Sequence, residues 1–391
     1  MKSCKQEEQQ QEGSLRGKER CHRRVVYRLV VRMAVDGRAF ASPAGGVRRY
    51  VSELYSALGA LDARLHVDAV GASQGEPLPP SCHPRPEWPS PPTNLGRHSA
   101  GLPLALATGH YAVYHAPAYV APTWGRVPVV LSVHDISYAS RPEWYPYRRD
   151  PLRRWFYRQS VDRASVIVVP STFTADEIRR VYGVPASRLR VVPLAPSATF
   201  AAGPVVGPEG RDRVLLHVGD LHARRDLEVA VAVLRRLTGA AAAQPWRLVL
   251  IGRDRGSLAG VREAARAAGV DDRVEHVEGA SDEALFAWYR RAWCLLYPSR
   301  YEGFGLPVAE AMASGLPVVA ADAGSVPEVL SSAGFLFPPG AAAAASTAVL
   351  RLEDRDTWMA RQASGIERAR ELSWARTAQL TREVLDEAAG A

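Results

Sequence analysis

Two glutamates that flank a glycine-containing loop are the residues best suited to chemistry. Glu302 precedes the run Gly303-Phe304-Gly305-Leu306, and Glu310 lies eight positions after Glu302. Pro307 suits the first position of a helix and Gly315 the residue after its last turn, so the loop should end at a short helix. The free N–H groups at that helix start form an anion site that suits a diphosphate. A single carboxylate there could serve only the helix dipole, but two at this spacing favour a binding site.

A pair of arginines forms a second candidate anion site. Arg224 and Arg225 come shortly after Gly219, which follows an apolar run predicted to be a strand. Two adjacent cations at a strand-to-helix turn can clamp a diphosphate through charge-assisted hydrogen bonds. Cations near a helix N-terminus are otherwise mildly unfavourable, so we expect an anion nearby. The alternative interpretation is a solvated arginine pair at the start of a helix.

The first half of the chain contributes a histidine and a pair of glycines. His134 ends a predicted strand, and Gly45-Gly46 lies between the first predicted strand and a helix. A lone histidine at a strand end is usually structural, and Asp135 after it either orients the ring or forms a turn. A bare pair of glycines is a turn signal that also lets a ligand approach the backbone closely.

Alternating short apolar runs and helical patterns predict βαβ units and parallel sheets, with ligands bound beyond the carboxyl ends of the strands. The Pro/Gly-rich segment 193–210 interrupts the alternation and is predicted to link two domains, and the proline-rich segment 78–92 is predicted to be a loop. The predicted strands are 29–36, 64–70, 112–116, 127–134, 165–169, 213–218, 246–251, 273–277 and 293–297. The predicted helices are 46–60, 149–163, 172–182, 226–238, 257–268, 282–292 and 375–388.

Length and charge divide the chain further. It has 391 residues, enough for two domains, and its net charge of +8 comes almost entirely from arginine. The lysines are Lys2, Lys5 and Lys18, so residues 1–24 are predicted to be a disordered or non-native extension, with an internal start at Met33 as the alternative. The expected domains are 25–195 and 196–372, followed by a C-terminal helix, 373–391, that can cross back to the first domain.

Several other classes of protein are disfavoured by the sequence. The scattered cysteines lack a C-x-x-C pair, which argues against a zinc site or a disulfide framework and suits a reducing cytoplasm. Asp354-Arg355-Asp356 is predicted to be surface charge, so no metal site is expected. No apolar run is long enough to span a bilayer. The basic charge lacks a nucleic-acid-binding motif, and neither 36–50 nor 218–226 has the Gly-x-Gly-x-x-Gly of a dinucleotide-dependent oxidoreductase.

From about residue 30 onward, these motifs together resemble the retaining family-4 glycosyltransferases. The resemblance implies the GT-B fold, an α/β architecture in which two Rossmann-like doubly wound domains face each other across a cleft. It implies that Glu302 contacts the transferred sugar, that Glu310 binds the ribose of the nucleotide and that backbone amides of Phe304-Gly305-Leu306 meet the sugar and phosphates. It places His134 near the sugar and the reacting centre, so the expected catalytic residues are His134, Glu302 and Arg225. The expected donor-binding residues also include Gly219 and Gly303.

The resemblance also implies how the leaving group is stabilised. Arg224, Arg225 and the helix N-terminus would neutralise the nucleoside diphosphate without a metal, so the nucleotide sugar is a co-substrate and no cofactor is expected. Two departures from the family pattern stand out: Arg225-Asp226 replaces Lys-Asn, and Gly45-Gly46 lies in a variant of Gly-Ile-Gly-Arg-Tyr. A catalytically degenerate scaffold and a sugar-nucleotide epimerase of the same fold are therefore the alternatives.

Within the family, the Asp-Gly-Arg start at 36–38, the Val-His-Asp strand end at 133–135 and the Phe/Trp-rich segment 141–158 look most like bacterial mannosyltransferases of cell-surface polysaccharide assembly. That likeness implies transfer of mannose from GDP-mannose to an acceptor hydroxyl on a glycan or lipid-linked saccharide. Segment 141–158 mixes arginines with aromatic residues, which suits either peripheral contact with an anionic membrane or an amphipathic packing helix. The expected location is the cytoplasm, with peripheral contact at the inner membrane face as the alternative, and nucleic acid is not an expected partner.

Overall fold

Thirteen parallel strands form the framework of the described part of the molecule. The computed structural model describes residues 32–91, 93–145, 150–201, 204–238 and 245–390. The strands are β1 Met33–Asp36, β2 Val67–Val70, β3 Cys82–Arg85, β4 Val113–Ala116, β5 Val129–Ser132, β6 Val166–Val169, β7 Leu189–Val191, β8 Val214–Val218, β9 Arg247–Ile251, β10 Val274–Val277, β11 Cys294–Tyr297, β12 Val318–Ala321 and β13 Phe335–Phe337.

The strands form two sheets, and each sheet reverses its strand order at an inner position. The first sheet has the order β3-β2-β1-β4-β5-β6-β7, and the second has β10-β9-β8-β11-β12-β13. The reversals lie between β1 and β4 and between β8 and β11, which is where doubly wound sheets bind ligands. Strands β5 and β11 are buried along their whole length, as expected of parallel strands covered by helices on both faces.

Helices cover both sheets and give each domain its own buried apolar core. The α-helices of four or more residues are α1 Gly45–Leu61, α2 Leu102–Gly109, α3 Ser137–Ser140, α4 Pro151–Arg163, α5 Thr172–Tyr182, α6 Leu227–Thr238, α7 Leu258–Ala267, α8 Asp282–Arg291, α9 Leu306–Ala313, α10 Val326–Leu330, α11 Ala342–Arg351, α12 Arg355–Arg370 and α13 Trp374–Ala389. The two parallel-sheet α/β domains confirm the predicted fold class.

Most predicted strands and helices are present with shorter ends. The prediction of a loop over 78–92 is wrong in part, because Cys82–Arg85 forms β3 beside β2. This strand contains Pro84, and a proline is tolerated there because β3 is an edge strand of the sheet. Helices α2, α3 and α10 and strands β12 and β13 were not predicted. Residues 29–31 and the extension 1–24 lie outside the described residues, so those predictions stay predictions.

The C-terminal helix α13 packs on α1 and on strands of the first sheet. Thr377 Oγ1 donates a hydrogen bond to the carbonyl of Pro193 at 2.7 Å, and Arg382 lies 3.4 Å from the carboxylate of Asp62. The last helix in the sequence therefore belongs spatially with the first sheet. The domain boundaries at 195/196 and 372/373 stay predictions.

Candidate active site

Glu302 lies in a buried ion pair just after β11. The residue is 5% exposed, and Arg225 Nη1 donates to its carboxylate. Ser299 Oγ donates to the same carboxylate oxygen at 2.5 Å. Arg225 Nη1 also donates to the hydroxyl of Tyr297, whose ring lies beneath the guanidinium at 5.3 Å. The structure thus brings together two of the three predicted catalytic residues, which come from loops following neighbouring strands.

The loop after Glu302 passes so close to the first domain that position 303 has no room for a side chain. A Cβ on Gly303 would lie 1.7 Å from the carbonyl oxygen of His134. Ser171 Oγ and Thr174 Oγ1 donate to the Gly303 carbonyl at 2.6 and 3.1 Å. These side chains lie at the start of α5, so the loop is held from the opposite domain.

The loop then turns into α9 through a left-handed residue. Gly305 has φ +92° and caps the N-terminus of α9, which starts at Leu306. Glycine adopts this conformation without the steric penalty that a Cβ would bring. Phe304 is buried at 6% exposure, which anchors the loop. The predicted sequence of loop, helix start and Pro307 in the first turn is therefore present, with Gly315 after the last turn at φ +67°.

His134 lies where the loop meets the first domain. Its Nε2 hydrogen bonds to the carbonyl of Pro117 at 2.9 Å. A carbonyl can only accept, so Nε2 carries the proton and Nδ1 carries the lone pair of the neutral ring. Burial lowers the pKa of His134, which keeps the ring neutral at neutral pH. The third predicted catalytic residue is thus adjacent to Gly303 but does not contact Glu302 or Arg225 in any hydrogen bond described.

Asp135 forms a turn and an ion pair with the second domain. Its carboxylate accepts from the backbone N–H of Ser137 at 3.0 Å and from the Ser137 hydroxyl at 2.7 Å. Arg224 Nη1 donates to the other carboxylate oxygen at 3.0 Å. Burial alone would raise the pKa of Asp135, but Arg224 and Ser137 outweigh it and the pKa is lowered. Of the two roles left open from the sequence, the turn is the one observed.

The turn that carries the two arginines depends on left-handed residues. Gly219 has φ +132°, and a Cβ there would lie 2.9 Å from the guanidinium of Arg225. Asp226 has φ +51°, a conformation that Asn and Asp adopt more readily than most residues. Its carboxylate pairs with Arg300 at 2.7 Å. Aspartate in place of the family's asparagine therefore preserves the backbone geometry of this turn.

Arg224 and Arg225 each form an ion pair with a carboxylate, which neutralises part of the positive charge that a ligand could meet. A guanidinium has five N–H donors, so one ion pair leaves others available. The buried Nε of Arg225 has no hydrogen-bond partner among the described residues. An acceptor from a ligand would satisfy this donor.

Glu310 is buried in α9 beneath residues that the sequence did not single out. It is 2% exposed, and Arg49 Nη1 donates to its Oε1 at 2.6 Å while the Tyr289 hydroxyl donates to Oε2 at 3.0 Å. Arg49 also donates to the carboxylate of Asp282. Burial raises the pKa of Glu310, and Arg49 opposes that rise. Arg49 lies within the predicted glycine-loop motif, but nothing in the sequence pairs it with a glutamate 261 positions away.

A cleft of about 860 Å³ lies between the two domains and is lined by Arg49 and Gly219, whereas neither Glu302 nor Arg225 lines it. One wall contains Arg49 together with Gly45 and Gly46, and the glycines have open space where a Cβ would be. These two glycines are the first residues of α1, so the prediction that they form a loop before the helix is wrong. The facing wall includes Gly219 and Asp282. The volume lies within the usual range of small-molecule sites.

Other features of the described residues bear on cofactors and membranes. No group of three or more His, Cys, Asp and Glu side chains among them is placed to hold a metal ion. Asp354 caps α12 through the backbone N–H of Thr357, and Asp354, Arg355 and Asp356 are exposed. Within the same described ranges, every helix is too short or too polar to cross a membrane.

The fold and the site define the class: two facing Rossmann-like domains with the GT-B architecture. The sequence profile described as "Glycosyltransferase Family 4" matches residues 44–195, and the one described as "Glycosyl transferases group 1" matches residues 204–371. The chain belongs to this family of glycosyltransferases and is a nucleotide-sugar-dependent transferase.

Named relatives and a solved structure agree with this membership. The chain is 28% identical over 272 residues to O-antigen chain mannosyltransferase B of Escherichia coli, covering 67% of this chain and 71% of that protein. It is 28% identical over 310 residues to D-inositol 3-phosphate glycosyltransferase of Corynebacterium efficiens, covering 74% and 72%. It is 29% identical over 212 residues to GDP-mannose:cellobiosyl-diphosphopolyprenol alpha-mannosyltransferase of Xanthomonas campestris, covering 51% of each. Sucrose-phosphate synthase from Thermosynechococcus elongatus shares the fold, with a TM-score of 0.73 at 23% identity, covering 92% and 99%.

Proposed function

We propose that this enzyme transfers mannose from GDP-mannose, with retention of configuration, to an acceptor hydroxyl on a glycan or lipid-linked saccharide. The observation that carries the proposal is the buried Glu302–Arg225 pair, whose glutamate precedes the first residue of α9 by four positions and whose arginine lies against Gly219 in the wall of the cleft. Mannosyltransferases recur among the relatives, and one of them has GDP-mannose in its name. D-inositol 3-phosphate glycosyltransferases are similarly close, so the donor has to be decided by experiment.

Charge stabilisation on the leaving group is the central requirement of this reaction. When the bond between the sugar and the diphosphate breaks, negative charge develops on the nucleoside diphosphate. Arg224, Arg225 and the N–H groups at the start of α9 are fixed in place before the reaction, which makes them effective at stabilising that charge. We assign them this role in place of a metal ion.

The carboxylates would act on the other parts of the donor. Glu302 adjoins the loop before α9, and we assign it to the transferred sugar as positive charge develops there. Glu310 lies within α9, and we assign it to the ribose hydroxyls. His134, neutral and adjacent to Gly303, is assigned to the sugar side of the cleft. A front-face route and a covalent intermediate both suit this arrangement.

Thermal shift with nucleoside diphosphates tests the donor. A ligand that binds only the folded state at a hundredfold excess over its Kd adds about 2.7 kcal/mol of stability. We expect GDP and GDP-mannose to raise the Tm more than UDP, ADP or their glucose conjugates, and GDP-mannose to be turned over. A larger shift with UDP-glucose would identify UDP-glucose as the donor instead of GDP-mannose, and the enzyme would still be a glycosyltransferase.

We further propose that the enzyme binds its acceptor at an anionic membrane surface. Helix α4 exposes Leu152 and Trp155 together with the arginines at 153, 154 and 158, while Phe156 packs inward. Such a mixture of apolar and cationic side chains suits docking to anionic lipid. Co-sedimentation with vesicles that contain phosphatidylglycerol should fall when Trp155 is replaced by Ser. Equal sedimentation of both proteins would favour a packing role for the helix. Residues 146–149 of this segment lie outside the described residues.

A further inference from the structure

The carboxylate assigned to the ribose has protein groups on both of its oxygens. Arg49 Nη1 lies 2.6 Å from Oε1 of Glu310, and the hydroxyl of Tyr289 lies 3.0 Å from Oε2. Tyr289 is fully buried in the same domain, so its bond is a fixed part of that domain. Arg49 comes from the opposite domain and its side chain is 24% exposed. Of the two bonds, the one to Arg49 is therefore the one that a ligand can replace.

The position of Arg49 in the cleft is set by the residue that follows it. The hydroxyl of Tyr50 lies 2.9 Å from Ser132 Oγ, and its ring lies edge-on to His134 at 4.5 Å. Tyr50 is 2% exposed, so the second turn of α1 is fixed against the end of β5. Arg49 consequently points across the cleft from a rigid element, with its guanidinium 5.5 Å from the ring centre of Phe200.

A ribose that approaches from the cleft meets Arg49 before Glu310. Arg49 and Asp282 both line the cleft, whereas Glu310 is not among the described residues that do so. Arg49 spans the two carboxylates, donating to Glu310 through Nη1 and to Asp282 through Nη2. Asp282 is 44% exposed, so it can keep the guanidinium after the bond to Glu310 is broken.

We propose that Arg49 sets the affinity for the donor by competing with the ribose for Glu310. The ribose hydroxyls replace Arg49 on the carboxylate, and Arg49 stays paired with Asp282 at the edge of the cleft. This inference rests on the proposed ribose role of Glu310. It predicts that the wild-type enzyme prefers a nucleotide with ribose over one without 2′ and 3′ hydroxyls, and that this preference would be larger if Arg49 did not compete.

The test compares GDP with 2′,3′-dideoxy-GDP by titration calorimetry at pH 8. The measured quantity is the ratio of the two dissociation constants, from which effects on the phosphates cancel. We expect Arg49→Met to raise the preference for GDP about tenfold, because one charge-assisted hydrogen bond no longer competes. Arg48→Met is the matched control, because Arg48 is an exposed arginine in the same cleft that donates a hydrogen bond to the Ser42 carbonyl and none to Glu310. Its ratio should equal that of wild type.

A second variant keeps the test decisive if Arg49→Met does not fold. Asp282→Asn removes one of the two carboxylates that pair with Arg49 among the described residues. Arg49 should then bind Glu310 more tightly, so the preference for GDP should fall below that of wild type. An unchanged or lower preference in Arg49→Met, or a higher one in Asp282→Asn, would overturn the competition. Equal affinity for both ligands in wild type and in Arg49→Met would instead show that Glu310 does not hold the ribose. If the thermal-shift experiment selects UDP instead of GDP, the comparison uses UDP and 2′,3′-dideoxy-UDP.

Discussion

Replacing Glu302 by glutamine removes the charge of this carboxylate and preserves its shape. In the structure Glu302 accepts hydrogen bonds from Arg225 and Ser299 while 5% exposed. Its carboxylate would face the sugar of the donor, which is present in the nucleotide sugar and absent from the nucleoside diphosphate. We therefore expect Glu302→Gln to lower kcat while the nucleoside diphosphate binds nearly as before.

The size of the effect follows from the kind of interaction that is lost. A hydrogen bond to a charged group contributes about 1.5–3 kcal/mol. If that contribution is made in the transition state, the rate falls tenfold for about every 1.36 kcal/mol, giving a loss of about 10- to 150-fold. Glutamine keeps an acceptor for Arg225, which limits the loss of stability that a buried, unpaired arginine would cause.

The paired variant is Glu310→Gln, which should mainly raise the donor KM. Its bond to the ribose is made equally in the ground state and the transition state, so its loss affects binding rather than the chemical step. Glu353→Gln, at a surface ion pair with Arg213, serves as the control. The assay measures affinity for the nucleoside diphosphate and single-turnover transfer in all three variants.

Two results would refute this division of roles. If Glu302→Gln loses nucleotide affinity while Glu310→Gln loses only the rate of transfer, the two assignments are reversed. If neither variant changes either quantity, the two glutamates are structural and the main argument for the site fails.

Three further predictions concern metal, pH and the contact between domains. Turnover should survive excess chelator, and a complete loss restored by Mg²⁺ or Mn²⁺ would refute the role given to the arginines. Burial lowers the pKa of His115 and His217 to about 3 and of His98 to about 4. Below about pH 6.5 the unfolded chain therefore binds more protons than the folded protein. As the pH falls to about 4, the free energy of unfolding measured in urea should decrease by up to about 1.4 kcal/mol per pH unit for each histidine. A urea midpoint that stays constant over this range would contradict the prediction. Ser171→Ala removes a buried bond to the Gly303 carbonyl and should lower stability by about 1–3 kcal/mol, whereas an unchanged Tm would show that the contact contributes little.

The sequence determined the elements whose signals are local. The loop from Glu302 into α9 was predictable because the glycines, Pro307 and the two glutamates all lie within one short segment, and each has a positional preference of its own. The strand over Cys82–Arg85 was missed for the same reason, since its proline-rich sequence carries no local strand signal. Its pairing with β2 is imposed by the edge of the sheet, where the missing N–H of Pro84 is tolerated.

Only the tertiary structure decided which charged residues meet. Arg224 with Asp135 and Arg49 with Glu310 join the two domains over 89 and 261 positions of sequence, whereas Arg225 with Glu302, 77 positions apart, joins two loops of the second domain. No periodicity or propensity reports such pairs, because the distance between two loops depends on the order of strands in a sheet and on how the two sheets are oriented toward each other. The sequence could therefore identify the loop that carries the candidate chemistry. The hydrogen bond from Arg49 to Glu310 became visible only after both domains were in place.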